Sequence, residues 1–564
     1  MRCMTVRAGA RIRRSTGLAC LTALAALALA ACGGGGDGGS SATSQTQAAA
    51  PSGPLQVTGL DQACDTCGAA TSNTYSGNGI GIWGRANNSG AAIDLQYSIF
   101  GVAGKSISLM LSNLGDSAVP MPAGMSSNVV AAMLSPRALS MDSTEEATRR
   151  AIGEFNRTGW ADATRATSDP MLNTLGVPAP LSVSIGTSGL GEGASRSWYH
   201  TDTTLRTATL RKQVTAGDGT RVNIWVENAE AANVPDPMVL ELANTFAGSG
   251  MVYDRLVSLG GAVWGANNYS GTLLPAGVPI DIVVLNFNHD GQPYGTVGYF
   301  WGLHNFLKSK EANSNESISL YLDSETLSLG GSDGMRAAKT TMAHEGTHMQ
   351  NFYRRQVRMG PAYAYDTWLE EMTAMQMEDF LSGIIVPGYS PIGDVRLPDY
   401  YRYNDYNCNL LDFTGFGVTC ESYAVSGSFG GFLNRQLGAG FYRDLLTRGG
   451  ASSKQVLDDA IRAARSGWSF NQALVNWRAT TNSSMPASSA PVNYGYPAWT
   501  DGTFSLPAID PSASRYTTLR KLPPTAPSLL QAYGSYIAPR GATDGVYSDR
   551  VRVPAGVTLS VIVY

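Results

Sequence analysis

The sequence predicts an α+β protein in which a mixed sheet followed by helices lies between an N-terminal β-rich domain and a small C-terminal β unit. Three observations support this prediction. Residues 73–215 consist mainly of short strand-like runs broken by Gly, Asn and Ser. Residues 216–485 alternate strand and helix patterns and then become helical, whereas residues 486–564 are rich in Pro and Gly and end in strand-like runs. The 564 residues are also too many for one compact core, so we expect two or three domains.

The N-terminus has the organisation of a secretory signal peptide. A basic stretch, "MRCMTVRAGARIRR", precedes an apolar stretch, "LACLTALAALALA", that is too short to span a membrane. The following "LAAC", residues 29–32, resembles the bacterial lipobox, whose cysteine receives a lipid. We therefore expect a lipoprotein-type signal peptide over residues 1–31 and a lipid on Cys32. Cleavage one residue earlier by an ordinary signal peptidase, leaving an unlipidated cysteine, is the alternative.

Residues 32–72 are predicted to be a flexible Gly/Ser tether, because a run such as "GGGGDGGSSATSQ" cannot bury a core. No later segment is long and apolar enough to span a bilayer, so membrane contact is expected only through the lipid. The net charge is -4 and no basic block follows the first few residues, which argues against a nucleic-acid partner. We expect an exported protein that is anchored at the cell envelope or outer surface, or released from it.

Four cysteines remain beyond the signal peptide and the candidate lipid site. Cys64 and Cys67 lie in "QACDTCG", and Cys408 and Cys420 bound "CNLLDFTGFGVTC". An even number of cysteines in an exported chain predicts two local disulfides. A redox-active Cys-x-x-Cys is the alternative for the first pair, but this pair lies near a flexible N-terminus and not at a helix start after a strand.

Periodicity predicts the elements of the central part of the chain. The first domain contains one helix, "STEEATRRAIGEFNR", among its strands. In the second, "RVNIWVEN", "IDIVVLNFN" and "SISLYLDS" are expected strands, and "PMVLELANTFAGSGMVYDRLVSLGG" is expected to be helical. A long helix is expected from about Asp333 to about Arg358, where Gly360 and Pro361 stop it. Further helices are expected over 367–382, 421–437, 441–448, 454–465 and 469–480.

The stretch "TTMAHEGTHMQNF" in the long helix holds two of the five histidines. His344 and His348 are four residues apart, about 400° around a helix, so they project from the same face and can bind one zinc ion. Glu345 points about 100° away, where it can take a proton from a water at the metal without being a ligand. The pattern predicts a zinc hydrolase with Glu345 as general base. The competing interpretation, a surface helix with two solvated histidines, must also explain apolar neighbours such as Met342 and Met349.

A catalytic zinc ion needs a third protein ligand and an open fourth position. The other three histidines lie upstream, so the metzincin pattern is excluded, and acidic residues in "YDTWLEEMTAMQMEDFL" are the candidates. Thr367 and Glu370 have capping-box spacing, which gives Glu370 a task at the helix start. Glu371, 23 residues after His348, is then the expected ligand, and Glu370 is the fallback. Glu378, on the same helix face as Glu371, could hold a ligating imidazole or be a solvated acid.

"HEGTH" followed by "WLEEMTA" resembles the glutamate-type zincins, in which a Trp-Leu-x-Glu-Gly-x-Ala segment supplies the third ligand. Matching along this segment also places the ligand at Glu371, with Met372 where those proteins usually have glycine. The wider stretch from "VGYFWGLHNFLKSKEANSNESISLYLDS" to "TMAHEGTHMQNFYRR" is similar to the hyicolysin-like neutral metalloproteases. This resemblance implies a zinc endopeptidase with a thermolysin-like catalytic core, in which an edge strand borders the cleft. "SISLYLDS" is expected to be that strand, and a substrate peptide could pair with its edge.

An oxyanion stabiliser besides the metal is also expected. Glutamate zincins use a histidine or tyrosine downstream of the third ligand, and no histidine remains there. Tyr423, in "CESYAVSGSFGGFLNRQLG", is therefore the expected stabiliser. Tyr363 and Tyr365 are rivals, and an ordinary packing role for Tyr423 is the alternative.

The sequence predicts an exported zinc endopeptidase that acts on proteins or peptides, and the β-rich part before residue 216 could be a pro-region or a binding region. The alternative is a surface adhesion or haemagglutinin-like protein with an inactive or secondary zincin core, although the retained Glu345 argues against it. An aminopeptidase is a third interpretation, but no Gly-x-Met-Glu-Asn-type segment for holding a free amine is found. Structural calcium (Ca2+) would suit an exported zincin, but no calcium-loop motif is visible.

Overall fold

The computed structural model describes residues 55–125, 143–165, 186–402, 405–415, 420–520, 522, 525–542 and 544–564. The predicted signal peptide, Cys32 and the first part of the predicted tether lie outside these residues. Among the helices described, none is both long enough and apolar enough to cross a membrane. The predicted α+β class, with a β-rich N-terminal part and a strand-rich C-terminal end, is confirmed.

The elements of the described residues are numbered in chain order. The strands are β1 Leu55–Thr58, β2 Asp61–Gln62, β3 Ala69–Thr71, β4 Thr74–Tyr75, β5 Gly81–Ala86, β6 Ile93–Phe100, β7 Ser106–Asn113, β8 Val119–Pro120, β9 Ser195–Tyr199, β10 Leu205–Thr215, β11 Arg221–Glu227, β12 Ile280–Leu285, β13 Gly298–Phe300, β14 Ile318–Asp323, β15 Trp499–Thr500, β16 Ser505–Leu506, β17 Leu529–Leu530, β18 Ser535–Ala542, β19 Val546–Val553 and β20 Val557–Val563. The helices are α1 Ser143–Glu154, α2 Trp160–Arg165, α3 Asp236–Ala247, α4 Val252–Gly260, α5 Ser324–Leu329, α6 Gly331–Asn351, α7 Thr367–Ile385, α8 Leu397–Arg402, α9 Ser422–Thr447, α10 Ser453–Ala464, α11 Phe470–Asn482 and α12 Ser514–Thr517. π-helical turns join α1 to α2, extend α6 and lead into α8, over Phe155–Gly159, Phe352–Val357 and Ile392–Arg396.

The central sheet is mixed and has the strand order β13-β14-β12-β11-β10-β9. Strands β11, β12 and β14 are parallel, whereas β13, β10 and β9 run antiparallel to their neighbours. The expectation that "SISLYLDS" forms the sheet edge is wrong, because this segment is β14 and has a neighbour on each side. The edge strand on this side of the sheet is β13, a strand of three residues next to β14. So short a strand leaves no alternating pattern by which the sequence could have shown it.

Strands from both ends of the described chain form two five-stranded sheets that share one apolar core. In one sheet β6 pairs with β1, β4 and β19, and in the other β20 lies between β7 and β5. Strand β6 alternates buried and partly exposed residues, while β20 is buried on both faces because α11 covers its second face. The ranges 73–215 and 486–564, predicted as separate units, therefore contribute to the same sheets. In addition, β9 and β10 of the first range belong to the central sheet.

The helices after the central sheet follow the expected order. Helix α7 packs against α6 on one side and against α9 on the other. Gly438, with a φ of 75°, breaks α9 between the two helices expected there, and an added Cβ would lie 2.5 Å from the ring of Trp499. Both predicted disulfides, Cys64–Cys67 and Cys408–Cys420, are present. The second disulfide closes the loop that leads into α9.

Candidate functional site

Helix α6 carries three of the predicted residues, His344, Glu345 and His348, in its C-terminal half. Between the two histidines, Gly346 lets α6 pass close to α4, since an added Cβ would lie 2.6 Å from Cδ1 of Leu256. The helix is therefore held against the core at the point where the histidines project. They keep only 12% and 13% of their side-chain surface exposed, so the site is a largely enclosed one.

Helix α7 brings a carboxylate to both imidazoles. Oε2 of Glu371 lies 3.2 Å from Nε2 of His344 and 3.7 Å from Nε2 of His348. One ligand atom from each of these three side chains lies within 4.8 Å of the others. Two imidazole nitrogens and one carboxylate oxygen are a donor set that suits zinc and leaves a fourth position open. The three residues could therefore hold a metal ion.

Two further glutamates of α7 contact the other nitrogens of the imidazoles. Oε1 of Glu378 lies 2.5 Å from Nδ1 of His344, and Oε1 of Glu370 lies 2.9 Å from Nδ1 of His348. A carboxylate in this position accepts the Nδ1–H and fixes the ring orientation. Both Nε2 atoms are then presented to the same point, beside Glu371.

The capping role expected for Glu370 is wrong. Asp366, one residue before Thr367, is the N-cap residue of α7, and its carbonyl accepts from the N–H of Glu370. The carboxylate of Glu370 is directed to α6 instead, where Asn351 also donates to it at 3.1 Å. This glutamate therefore supports His348 rather than the start of its own helix.

The charges of the cluster depend on one another. Burial lowers the pKa of His344, but hydrogen bonds with Glu371 and Glu378 raise it to about 9. Burial also opposes the charge of His348, yet the carboxylate of Glu371 raises its pKa well above the usual range. In turn the two imidazoles hold the pKa of Glu371 well below its usual range in spite of burial. Arg396 lies 3.5 Å from Oε2 of Glu378, so a guanidinium also borders the cluster.

Glu345 is buried beside the cluster, with 8% of its surface exposed. Burial raises the pKa of its carboxyl, while the two neighbouring imidazoles and a backbone hydrogen bond from Phe300 act in the opposite direction. A carboxylate with a raised pKa is a better proton acceptor near neutral pH than a solvated one. Phe300 lies in the edge strand β13, so this contact also places Glu345 at the edge of the central sheet.

Tyr423 lies in the first turn of α9 and is buried. Its hydroxyl accepts from a guanidinium N–H of Arg149 at 3.4 Å. Burial and the charge of Glu371 raise the pKa of Tyr423, so the phenol stays neutral and can donate a hydrogen bond. The rival Tyr365 is engaged elsewhere, because its hydroxyl donates to the carbonyl of Leu445 at 2.6 Å.

The structure thus brings the predicted metal ligands together and places Glu345 and Tyr423 beside them, while their roles remain predictions. Sequence reasoning missed two arginines near the site, Arg149 and Arg396. Arg149 lies in α1, far from the motif along the chain, and no local pattern connects it with the site. Arg396 lies in a π-helical turn before α8, where its neighbours also give no signal.

A helix carrying His-Glu-x-x-His, a glutamate from the next helix and the edge of a mixed sheet beside them are the arrangement of the zincin metallopeptidases. A family model described as Peptidase M30 matches residues 202–564. The chain belongs to this family, the hyicolysin family, and the resemblance found in the sequence is confirmed. The family supports a protease that acts on proteins or peptides, and zinc dependence agrees with the donor set described above.

A second family model, described as a domain of unknown function (DUF8571), matches residues 62–124. This range contains β5, β6 and β7 of the two five-stranded sheets. The remaining long strands of those sheets, β18, β19 and β20, lie in the range matched by the peptidase family. Strands from the two matched ranges therefore build the same two sheets together.

No curated protein matches the chain.

Proposed function

We propose that the protein is an exported, zinc-dependent endopeptidase, with His344, His348 and Glu371 as metal ligands and Glu345 as general base. The observation that carries the proposal is the orientation of the two imidazoles. Their Nε2 atoms face Oε2 of Glu371, while carboxylates of α7 occupy both Nδ1 atoms. An ordinary pair of solvated histidines has no need of such supporting carboxylates.

Different residues of the chain act in different steps of peptide hydrolysis. A zinc ion held here would supply Lewis acidity to a water molecule and to the substrate carbonyl. Glu345 accepts a proton from the attacking water and returns it to the leaving amine. The neutral phenol of Tyr423 donates a hydrogen bond to the oxyanion that develops on the carbonyl oxygen. Glu370 and Glu378 hold the imidazoles in place throughout.

The proposed location rests on the N-terminal sequence. The signal-like segment and the lipobox-like "LAAC" support export and a lipid on Cys32, which would hold the protein at the cell envelope or outer surface through a flexible tether. The two disulfides are in keeping with an oxidising compartment. The alternative of an adhesion protein with an inactive core is not favoured, because Glu345 and the complete donor set are retained.

The test is casein hydrolysis by the purified protein from Cys32 onward and by its Glu345→Gln variant, with bound zinc quantified in both. Hydrolysis by the first protein alone, at equal zinc content, is the expected result. A protein that binds no zinc, or a variant as active as the parent, would rule the proposal out.

A further inference from the structure

Residues 143–165, here called the covering segment, contain α1, a π-helical turn and α2 and precede the range matched by the peptidase family. One face of this segment contacts the candidate site. This face begins with Glu145 and continues with the residues 4, 7 and 11 positions later, which are Arg149, Ile152 and Asn156. At about 100° per residue these four positions lie within about 60° of one another on one side of a helix. Each of the four side chains is turned toward the protein, whereas Arg150, on the other side, is 79% exposed.

The two ends of this face are fixed to the loops and the strand around the site. Oε1 of Glu145 accepts from Nδ2 of Asn288 at 2.8 Å and from the N–H of Thr296 at 3.3 Å. Ile152 is buried in the cluster that includes Tyr299 of β13. Just beyond the face, Trp160 is fully buried. The covering segment is therefore docked along its length.

The backbone of β13 explains what this docking occupies. The N–H of Asp323 donates to the carbonyl of Val297, and the antiparallel register pairs Tyr299 with Tyr321. Hydrogen-bonded and non-hydrogen-bonded pairs alternate along an antiparallel ladder, and Tyr299 belongs to a hydrogen-bonded pair. The next residue, Phe300, therefore directs its N–H and C=O away from β14 toward the open edge of the sheet. This edge is the one at which Glu345 is placed.

Asn156 fills the hydrogen-bonding positions of this edge. Its Nδ2 donates to the carbonyl of Phe300 at 3.0 Å, and its Oδ1 accepts from the N–H of Gly302 at 2.7 Å. An extended peptide that added to β13 would offer one N–H and one C=O to the same two groups. The side-chain amide of Asn156 thus stands where the backbone of a bound peptide would lie.

Arg149 lies nearer the metal ligands. It donates to the hydroxyl of Tyr423, the group proposed to act on the substrate oxyanion. Burial lowers the pKa of Arg149, but Tyr423 and the carboxylate of Glu371 raise it overall, so its positive charge interacts with the cluster. A hydroxyl that accepts from Arg149 can still donate its own proton, so this contact anchors the covering segment beside the metal ligands without removing the proposed oxyanion donor.

We infer that the covering segment is a built-in inhibitor that occupies the peptide-binding edge of the site, with Asn156 on β13 and Arg149 on Tyr423. This inference rests on the proposed function for the identity of the excluded ligand, an extended peptide. Peptide binding and displacement of the covering segment are then one competitive equilibrium, so weakening the contacts of Asn156 and Arg149 strengthens peptide binding.

The experiment measures peptide binding without cleavage. Fluorescein-labelled peptides from a tryptic digest of β-casein are titrated with three full-length proteins that all carry Glu345→Gln. One has no further change, one adds Arg149→Ala with Asn156→Ala, and the matched control adds Arg150→Ala. Zinc content and thermal unfolding are compared to show that the three proteins are equally folded.

The double variant is expected to bind the peptides about tenfold more tightly than the other two proteins, because one charged and two backbone contacts of the covering segment are lost. Equal binding, or weaker binding by the double variant, would overturn the inference and make the segment an ordinary wall of the site. Restoring Glu345 separates this result from the proposed function. If the double variant binds peptides more tightly but no protein hydrolyses casein, the covering segment is an inhibitor and the proposed peptidase activity is refuted. If casein is hydrolysed and the double substitution changes neither binding nor hydrolysis, the peptidase activity is upheld and the inhibitor is refuted.

Discussion

The carboxylate of Glu378 lies 2.5 Å from Nδ1 of His344, while Glu371, two turns earlier on the same helix, lies 3.2 Å from Nε2 of that ring. One helix therefore supplies both a candidate metal ligand and the support for another ligand. Any change that rotates or shifts α7 alters both contacts at once.

Replacing Glu371 with Gln is expected to remove most of the bound metal, because the neutral amide is a poor ligand for zinc. Zinc content after dialysis, measured by mass spectrometry, is the readout. Glu370→Gln is the matched control and should keep its zinc, although more weakly bound. Full zinc in the Glu371 variant together with loss from the Glu370 variant would make Glu370 the ligand.

Replacing Glu378 with Gln should weaken zinc binding about tenfold or more, because the loss of a supporting carboxylate lowers the basicity of the ligating imidazole. The dissociation constant is measured by competition with a chelator. Glu241→Gln, which changes a partly exposed glutamate paired with Lys339, serves as the control. Identical constants for both variants would show that Glu378 has no influence on the metal.

Tyr423→Phe is expected to lower kcat about 100-fold or more while zinc stays bound, which is the usual effect of deleting one oxyanion donor. Steady-state hydrolysis of a peptide substrate gives kcat and KM separately. Tyr365→Phe removes a buried hydroxyl of the same kind that bonds to a backbone carbonyl, and its kcat should not change. Unchanged turnover in the Tyr423 variant would remove this residue from the mechanism.

Zinc affinity should rise with pH across the neutral range. In the metal-free protein the pKa of His344 is raised to about 9, so below that pH the ring carries a proton that metal binding must displace. Lowering the pH favours the protonated ring and so weakens binding, by about tenfold per pH unit for each proton displaced. Titration calorimetry in buffers of different ionisation enthalpy counts the protons released. Affinity independent of pH between 6 and 8 would contradict this linkage.

Asp379→Ala should destabilise the fold by about 3–5 kcal/mol, because it leaves a buried guanidinium without its partner. Asp379 and Arg435 are 1% and 0% exposed and lie 2.7 Å apart. Asp61→Ala, which breaks a more exposed pair with Arg85, should cost less than about 1 kcal/mol. Denaturant unfolding followed by tryptophan fluorescence compares the two, and similar losses would show that the buried pair contributes little.

The sequence was sufficient for the residues whose geometry depends on a single helix. His344 and His348 share a face because of their spacing alone. Glu371 was chosen over Glu370 by a capping argument that is wrong and by the resemblance to the glutamate zincins, which places the ligand at the same residue. Glu370 was misjudged because its spacing from Thr367 fits a capping box, and the carboxylate is instead directed by a tertiary contact with His348. Local patterns describe what a side chain can do, whereas packing decides which option is taken.

Features that depend on distant parts of the chain were out of reach of the sequence. Strand β13 is too short for a periodic signal, and its role as the edge follows only from its pairing with β14. Arg149 contacts Tyr423, although the two residues are 274 positions apart in the sequence. The two five-stranded sheets combine strands that the sequence indicated, such as β6, with short strands that it missed, since β1, β2 and β3 lie in the predicted tether. Which strands pair was also out of reach, because alternation along a strand says nothing about its neighbour.

The position of β20 between β5 and β7 also determines when this sheet can form during synthesis of the chain. During synthesis β5 and β7 leave the ribosome early, and the strand that must separate and join them is made only with residues 557–563. Until then both strands expose backbone hydrogen-bonding groups and apolar side chains to other chains. The growing chain therefore cannot complete this sheet until residues 557–563 are made, and a chain that stops earlier leaves β5 and β7 unjoined.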